Sequence, residues 1–304
     1  MSDDSPPLAA VLLAFAALYV IWGSTYLGIR FAIETMPPFT MAGIRFLIAG
    51  SILYAWTRPR SVAPTRAHWR TAAIVGAFLL LGGNGGVTWA EQFVPSGIAA
   101  LLVASTPMWM VLLDAARPGG ERPGPAVVLG LVVGLAGIAW LVGPSGLGEP
   151  VDVAGALAVL GAALSWAAGS IYQRSAPKAD ATLLNVAMQM LVGGALLLAL
   201  GLATGERLDP AAVSARSWGA LAYLVVFGAL VGYSAYVWLL KVTTPARVST
   251  YAYVNPVVAV LLGWALAGEP LGPRVLGAGA AVVLAVALIT TARAPARPPA
   301  AAAD

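Results

Sequence analysis

The sequence contains no cysteine and a single histidine, His68, among its 304 residues. Without cysteine there is no disulfide framework, thiolate nucleophile or Cys-based metal site, and one histidine excludes a histidine cluster. The sequence also lacks an H-E-x-x-H motif, a Ser/His dyad and paired aspartates in facing spans. We therefore expect no catalytic residues, metal site or cofactor, and a membrane-embedded enzyme is the weaker alternative from another functional class.

Charged residues are scarce as well. They make up 10% of the chain, whereas hydrophobic residues make up 60%, and the mean hydropathy is +0.85. A soluble protein of this length must hydrate more surface than this composition allows. The sequence therefore predicts an integral membrane protein.

Apolar stretches of about 20 residues, the length that crosses roughly 30 Å of hydrocarbon, recur along the whole chain. They predict an all-α protein with ten transmembrane helices over residues 8–31, 38–56, 71–90, 95–115, 125–143, 152–173, 181–203, 217–240, 245–267 and 273–292. The acidic start MSDDSPP argues against a cleavable signal peptide. Residues 1–7 and 293–304 are predicted to be cytoplasmic tails, the second one Pro/Ala-rich and disordered.

Basic residues predict the orientation of these helices. One side of the membrane receives 12 of the 17 Lys and Arg residues. They are Arg58, Arg60, Arg66, Arg70, Arg117, Arg122, Arg174, Lys178, Lys241, Arg247, Arg293 and Arg297. Because cytoplasmic loops are enriched in Lys and Arg, both termini are predicted to be cytoplasmic in a multi-pass cell (inner) membrane protein. This anchoring accounts for the net charge of +4, so we expect no nucleic-acid partner.

The two halves of the chain align weakly with each other. The matched residues are Trp22 with Trp166, Arg30 with Arg174, Gly50 with Gly194, Leu53 with Leu197 and Pro107 with Pro256. Each repeat, residues 8–143 and 152–292, holds five predicted spans, and an odd number makes the second copy enter the membrane from the opposite side. Inverted repeats are typical of secondary transporters, because exchanging the conformations of the two halves moves access from one side to the other.

Several short motifs recur in a fixed order: W-G-S-T-Y in the first span, AGIRFLIAG in the second, and a proline in the fourth and ninth spans followed by a G-E loop. With these motifs the chain resembles the drug/metabolite transporter superfamily, EamA type, over residues 8–292. The resemblance implies ten transmembrane helices, alternating access and, commonly, export of amino acids or other small metabolites, as in the YddG-like aromatic amino-acid exporters. It does not identify the substrate.

Polar and aromatic side chains near the membrane midplane are the candidate substrate contacts, because such groups tend to face the bundle interior or a wet cavity. The candidates are Trp22, Ser24, Tyr26, Asn84, Ser105, Trp109, Trp166, Tyr233, Tyr236, Tyr253 and Asn255. A structural interpretation stays open for each. Ser and Thr can bond the carbonyls of their own helix, and Trp and Tyr often lie in interfacial belts.

Two prolines add backbone groups to this candidate site. Pro256 and Pro107 cannot donate a backbone hydrogen bond, which predicts free carbonyls at Ala252 and Val103. Helices interrupted at matching repeat positions are typical of a transporter binding site. Asn255, beside the first proline, could bond a substrate or satisfy the kink.

Arg45 and Glu91 are the possible charge contacts. Arg45 lies about two turns inside the second span, opposite Gln189 of the repeat. We favour a side chain that reaches the interface and pairs with Glu34 or Glu91; the functional alternative is that it binds a substrate carboxylate. No acidic residue is placed at mid-depth, which favours facilitated transport or exchange, with Glu91 as the fallback proton site.

The aromatic content of the candidate site bears on its cargo. Rings, hydroxyls and an amide suit small amphipathic solutes, above all neutral or aromatic amino acids. Lipophilic organic cations are the alternative, since aromatic rings bind them by cation–π attraction. The expected partners are thus a small-molecule substrate and the lipid bilayer, and the sequence makes no prediction of oligomeric state.

Overall fold

The computed structural model describes residues 7–117, 123–143, 151–248 and 250–292, and these residues form a helical bundle without strands. The helices are α1 (Leu8–Ala32), α2 (Pro38–Thr57), α3 (Arg66–Ala90), α4 (Ser96–Ala116), α5 (Pro125–Val142), α6 (Val153–Ser175), α7 (Thr182–Ala203), α8 (Ala215–Val242), α9 (Pro245–Val248 and Tyr251–Ala267) and α10 (Pro273–Ala292). Except for Pro7, the two predicted tails lie outside the described residues.

The ten helices match the ten predicted spans. In the described part of the chain, nine are long and apolar enough to cross a membrane, and the longer segment of α9 is apolar but has 17 residues. Large apolar side chains such as Leu13, Val132 and Leu202 are exposed on the outside of the bundle. Such a surface suits lipid rather than water. The predicted all-α membrane architecture is confirmed.

Side-chain caps explain where two helices begin earlier than predicted. The Thr65 hydroxyl accepts from the His68 backbone N–H, and the His68 ring accepts in return from the Thr65 backbone N–H. This capping box starts α3 at Arg66 instead of residue 71. The Ser214 hydroxyl likewise accepts from the backbone N–H of Ser217 and starts α8 at Ala215.

The proline in α4 interrupts its helix, whereas the one in α9 does not. Regular structure stops at Val103 and resumes at Thr106, next to Pro107. The carbonyl of Val103 is not free, however, because the Thr106 hydroxyl donates to it at 2.6 Å. Pro256 lies inside the continuous segment Tyr251–Ala267, and α9 has a non-helical turn at Thr250, one to two turns earlier.

Contacts between the helices repeat in pairs, as a two-fold relationship between the halves requires. Helix α1 of the first repeat packs against α8 and α9 of the second. Its counterpart α6 in the second repeat packs against α3 and α4 of the first. The equivalent helices α2 and α7 pack against each other, as do α5 and α10. Since every helix of one repeat has its counterpart in the other, the predicted inverted five-helix repeats are confirmed.

A tryptophan lies at each of two equivalent crossings. Helices α3 and α8 contain π-helical segments at matching positions, Ala77–Gly85 and Leu224–Val231. Trp22 lies so close to Gly232 that a Cβ there would be 2.3 Å from its Nε1, and Trp166 lies as closely against Gly83, where a Cβ would be 2.9 Å from the indole. Only glycine permits this approach, and it places both indoles beside irregular helix, which is frequent at functional sites.

Two carboxylates of the second repeat cap the N-termini of helices of the first repeat. Both caps lie on the side of the bundle where α1 ends, which we call the far side. Glu206 accepts from the backbone N–H groups of Phe39 and Thr40, at 3.1 and 2.7 Å. Glu269 accepts from those of Ser96 and Gly97, at 2.7 and 2.9 Å. Acidic groups at helix N-termini satisfy otherwise unpaired donors and complement the helix dipole. These contacts join the two repeats at this end.

Candidate functional site

Four aromatic rings from three helices meet around Trp22. The centroid of its indole ring lies 5.3 Å from that of Tyr233, 5.4 Å from Tyr236 and 5.1 Å from Tyr251. All four side chains are half-buried. The Trp22 indole also donates to the carbonyl of Gly228, at 3.2 Å, in the π-helical segment of α8. We call Trp22, Tyr233, Tyr236 and Tyr251 the aromatic cluster.

Tyr251 was not among the predicted residues. The prediction chose Tyr253, two positions later, but Tyr253 packs against the apolar core built mainly by α4, α5, α6 and α10. Residues two positions apart point in different directions on a helix, so only one of them can face Trp22. The sequence shows tyrosines on α8, at Tyr233 and Tyr236, and on α9. It does not show which of the two α9 tyrosines, Tyr251 or Tyr253, faces Trp22.

Arg45 adjoins this cluster and is buried. Its side chain is 5% exposed, and its guanidinium lies 4.8 Å from the ring centroid of Phe46. The guanidinium also lies against Gly228 of α8, where a Cβ would be 3.2 Å from its Nη2, and Trp22 donates to the carbonyl of the same residue. Among the described residues, Nε of Arg45 has no hydrogen-bond partner. The favoured prediction of an arginine that reaches the interface is therefore wrong, and Glu34 instead pairs with Arg216 at 3.2 Å.

Glu91 follows the last residue of α3 and is completely buried. Neither carboxyl oxygen has a hydrogen-bond partner within the described ranges. Arg30 donates to the backbone carbonyl of Glu91, at 2.6 Å, rather than to its side chain. Burial, and next the negative charge of Glu269, raise the pKa of the Glu91 carboxyl well above its usual range, while the charges of Arg30 and Arg45 oppose the rise.

Further unpaired polar groups lie on α3 and α4. In the part of the chain that the structure describes, the hydroxyls of Thr88 and Ser105 and the indole N–H of Trp109 are enclosed without a partner. Buried polar groups are normally hydrogen-bonded, so each of these lacks a partner that such a group usually has. Thr88 was not predicted, although it lies three residues before Glu91 and therefore on the same helical face.

Other predicted residues bond to the protein itself. The Ser24 hydroxyl donates to the carbonyl of Ile21, at 2.9 Å, and also bonds the hydroxyl of Tyr223, at 2.6 Å. With its amide nitrogen turned toward them, Asn255 donates to the backbone carbonyls of Tyr19 and Tyr251, at 3.3 Å each. These contacts join Asn255 to the backbone of α1 and of its own helix; neither is to the carbonyl of Ala252, the one that Pro256 is predicted to free.

The remaining predicted residues lie at other places in the bundle. Tyr26 packs against the same apolar core as Tyr253, and its hydroxyl interacts electrostatically with Glu91 and Tyr251. Asn84 is half-buried within the π-helical segment of α3, and Trp166 packs against Gly83 of that segment. No group of three or more Asp, Glu or His side chains among the described residues is arranged to hold a metal ion.

Comparison with known proteins identifies the family. The model of the EamA-like transporter family matches twice, at residues 8–143 and 153–291. The chain belongs to the EamA-like transporter family. Its two matches coincide with the two structural repeats, and the resemblance noted from the sequence motifs is thereby confirmed.

Relatives of the chain carry transporter names. It is 41% identical over 281 residues to "Uncharacterized inner membrane transporter YedA" of Escherichia coli K12, covering 91% of this chain and 89% of that one. It is 26% identical over 273 residues to the "Probable amino-acid metabolite efflux pump" of Salmonella typhimurium, covering 84% and 88%. A protein of known crystal structure superposes with a TM-score of 0.64 at 25% identity, over 93% and 98% of the two chains.

Family membership and fold together establish a multi-pass membrane transporter. Such a protein works in a lipid bilayer and moves a small-molecule substrate across it. The unpaired polar groups and the aromatic cluster are therefore candidate substrate contacts.

Replacement of Ser105 and Asn255 should separate binding from stability. The Ser105 hydroxyl has no partner among the described residues, so Ser105→Ala should leave the melting temperature unchanged or raise it while lowering transport. Asn255→Ala removes two bonds to backbone carbonyls and should lower the melting temperature, at a cost of about 1–3 kcal/mol. Thermal unfolding in detergent and transport by the same preparations measure both effects. A loss of stability in Ser105→Ala with normal transport would contradict this assignment.

Proposed function

We propose that the chain is a secondary carrier, an exporter or facilitator, for small neutral amphipathic metabolites, above all neutral or aromatic amino acids. The observation that carries the proposal is the aromatic cluster beside a buried arginine. An aromatic or apolar side chain would pack among the rings, at about 0.5–1.5 kcal/mol for each ring pair beyond the area buried. The substrate carboxylate would bind Arg45 by charge-assisted hydrogen bonds.

The unpaired groups of α3 and α4 supply the remaining contacts in this proposal. The Ser105 hydroxyl and the Trp109 indole N–H are enclosed and uncommitted within the described chain, so a bound substrate can satisfy them. Ser24, Tyr26, Asn84, Trp166, Tyr253 and Asn255 are proposed to support this site or to line the path to it. The name of the Salmonella relative, an amino-acid metabolite efflux pump, agrees with this cargo.

The inverted repeats favour a carrier mechanism. Two equivalent crossings, α1 with α8 and α6 with α3, allow the halves to exchange conformations, which would open the site first to one side and then to the other. The aromatic cluster lies at one of these crossings. In this conformation the far side is held together by Glu206 and Glu269, so opening that side requires these caps to separate from α2 and α4.

An organic cation is the second candidate cargo. The four rings around Trp22 favour it, because aromatic faces attract cations. The buried guanidinium of Arg45 opposes it, since a second positive charge nearby is repelled more strongly in a low-dielectric interior. The balance therefore favours a zwitterion over a cation.

Proteoliposome transport tests this cargo. We expect radiolabelled phenylalanine, methionine, leucine and threonine to cross faster than in empty vesicles, with competition by unlabelled substrate. Trp22→Ala removes three ring contacts and should slow phenylalanine transport by roughly tenfold or more. Trp264→Ala, at a position 54% exposed on the outside of the bundle, is the matched control and should transport normally. Movement of an organic cation but of no neutral amino acid would reject this proposal in favour of the drug-exporter alternative.

We further propose that both termini are cytoplasmic in an inner membrane, which agrees with the name of the Escherichia coli relative. The support is the 12 basic residues on one side, against Arg30, Arg207, Arg216 and Arg274 on the other. Since the chain has no native cysteine, Ser61→Cys and Thr204→Cys can be probed separately with an impermeant thiol reagent in intact cells. We expect labelling at position 204 and none at position 61; the reverse result would overturn the orientation.

A further inference from the structure

The surroundings of the Glu91 side chain disfavour its ionised form. Its side chain is 0% exposed, and both carboxyl oxygens lack a donor among the described residues. An ionised carboxylate buried without donors or a paired cation is strongly disfavoured relative to the neutral acid. In this conformation Glu91 is therefore a neutral carboxylic acid.

The charged and titratable groups that face Glu91 come from three neighbouring segments. They are Tyr26 and Arg30 of α1, Arg45 of α2, and Glu269, which follows α9. Glu269 accepts from the first residues of α4, and Arg30 donates one N–H to the backbone carbonyl of Glu91. Arg30 and Arg45 are thus the two cations that can compensate an ionised Glu91, and Arg45 is the one that the proposed function assigns to the substrate.

Arg45 and Glu91 nevertheless do not form an ion pair here. The three ion pairs within 4 Å among the described residues involve other side chains. Helix α2, which carries Arg45, still packs against the last turn of α3, directly before Glu91. Nε of Arg45 is unpaired in the same region of the bundle.

We propose that Glu91 is a proton-binding switch that controls whether Arg45 is available to the substrate. The neutral Glu91 carboxyl leaves the Arg45 guanidinium free for a substrate carboxylate. When the Glu91 O–H bond breaks, its proton passes to water on the side to which the carrier is open, and the carboxylate then takes Arg45 as an ion pair. This inference rests on the proposed role of Arg45 as the contact for the substrate carboxylate.

The switch links proton binding to substrate binding. Substrate binds the form in which Glu91 carries its proton, so binding in alkaline solution requires proton uptake, and affinity falls as the pH rises through the titration of Glu91. In the limit of one linked proton, the dissociation constant rises up to about tenfold for each pH unit. A ligand without a carboxylate does not need Arg45 and should show no such dependence.

Calorimetric binding of phenylalanine to the purified full chain tests this linkage across mildly acidic to alkaline buffers. We expect the wild type to lose affinity as the pH rises, and Glu91→Gln, which imitates the neutral acid, to bind with a pH-independent affinity. Glu34→Gln is the matched control on the same side of the bundle and should keep the wild-type dependence, because Glu34 pairs with Arg216. 3-Phenylpropionamide, which is neutral and lacks the carboxylate, should bind the wild type without this dependence.

A wild-type affinity for phenylalanine that is independent of pH would overturn the proposal, as would a Glu91→Gln variant that keeps the full dependence. If Glu91→Gln fails to fold, the contrast between phenylalanine and 3-phenylpropionamide on the wild type still decides. If no amino acid binds, the cargo proposal fails, and infrared titration of the wild type then tests the switch alone. A carboxylic-acid absorption of the wild type that persists at neutral pH supports the switch if Glu91→Gln lacks it, or if Glu91→Asp lacks it at the same frequency. The absence of this absorption from the wild type contradicts the switch.

Discussion

A bilayer supplies no hydrogen-bond partners, and this constraint governs the whole structure. Each backbone group that regular helix leaves unpaired has to find a partner inside the protein. Thr106 donates to the carbonyl of Val103 next to Pro107, and Glu269 accepts from the first N–H groups of α4. With this irregular backbone satisfied, the buried side chains left unpaired are the ones among which we propose substrate contacts.

Within the described chain, those unpaired groups lie on α2, α4 and α10 and at the end of α3. Arg45 and Glu91 bring charge into the bundle, and Ser105 and Trp109 bring neutral donors. Leaving them without partners costs stability, which a folded protein accepts where a ligand later completes the bonds. Trp22 links this region to the fold itself, because the same indole packs on Gly232 and donates to Gly228. Helix packing and the proposed substrate contacts therefore share one residue.

The sequence predicted the fold well because membrane thickness and an odd number of helices in each repeat leave few arrangements. Helix starts were less accurate, since the capping box of Thr65 and His68 was not recognised. Within the site, Trp22, Tyr233 and Tyr236 were predicted and meet, because aromatic residues at mid-depth are easily recognised. Tyr251 was missed because the sequence does not show which of the two neighbouring tyrosines of α9, Tyr251 or Tyr253, faces Trp22.

The direction of the Arg45 side chain could not be predicted from the sequence. Its depth along α2 was readable from the sequence, but an arginine at that depth can reach either the interface or the interior, and only the packing of α2 against its neighbours decides between them. Gln189, the residue that aligns with Arg45 in the second repeat, is also buried. The alignment of the halves therefore already showed a polar residue at this position of both repeats.

The central claim is that the two repeats exchange conformations around the substrate. The chain has no cysteine, so pairs of spin labels can be placed without altering native residues elsewhere. One pair, at Gln92 and Ala211, reports the far side, and another, at Ala116 and Thr244, reports the side where α1 begins; all four positions are exposed. Pulsed electron spin resonance should show that substrate shifts the two distance distributions in opposite senses. Distributions that are unchanged by a transported substrate, or that widen together, would contradict the account.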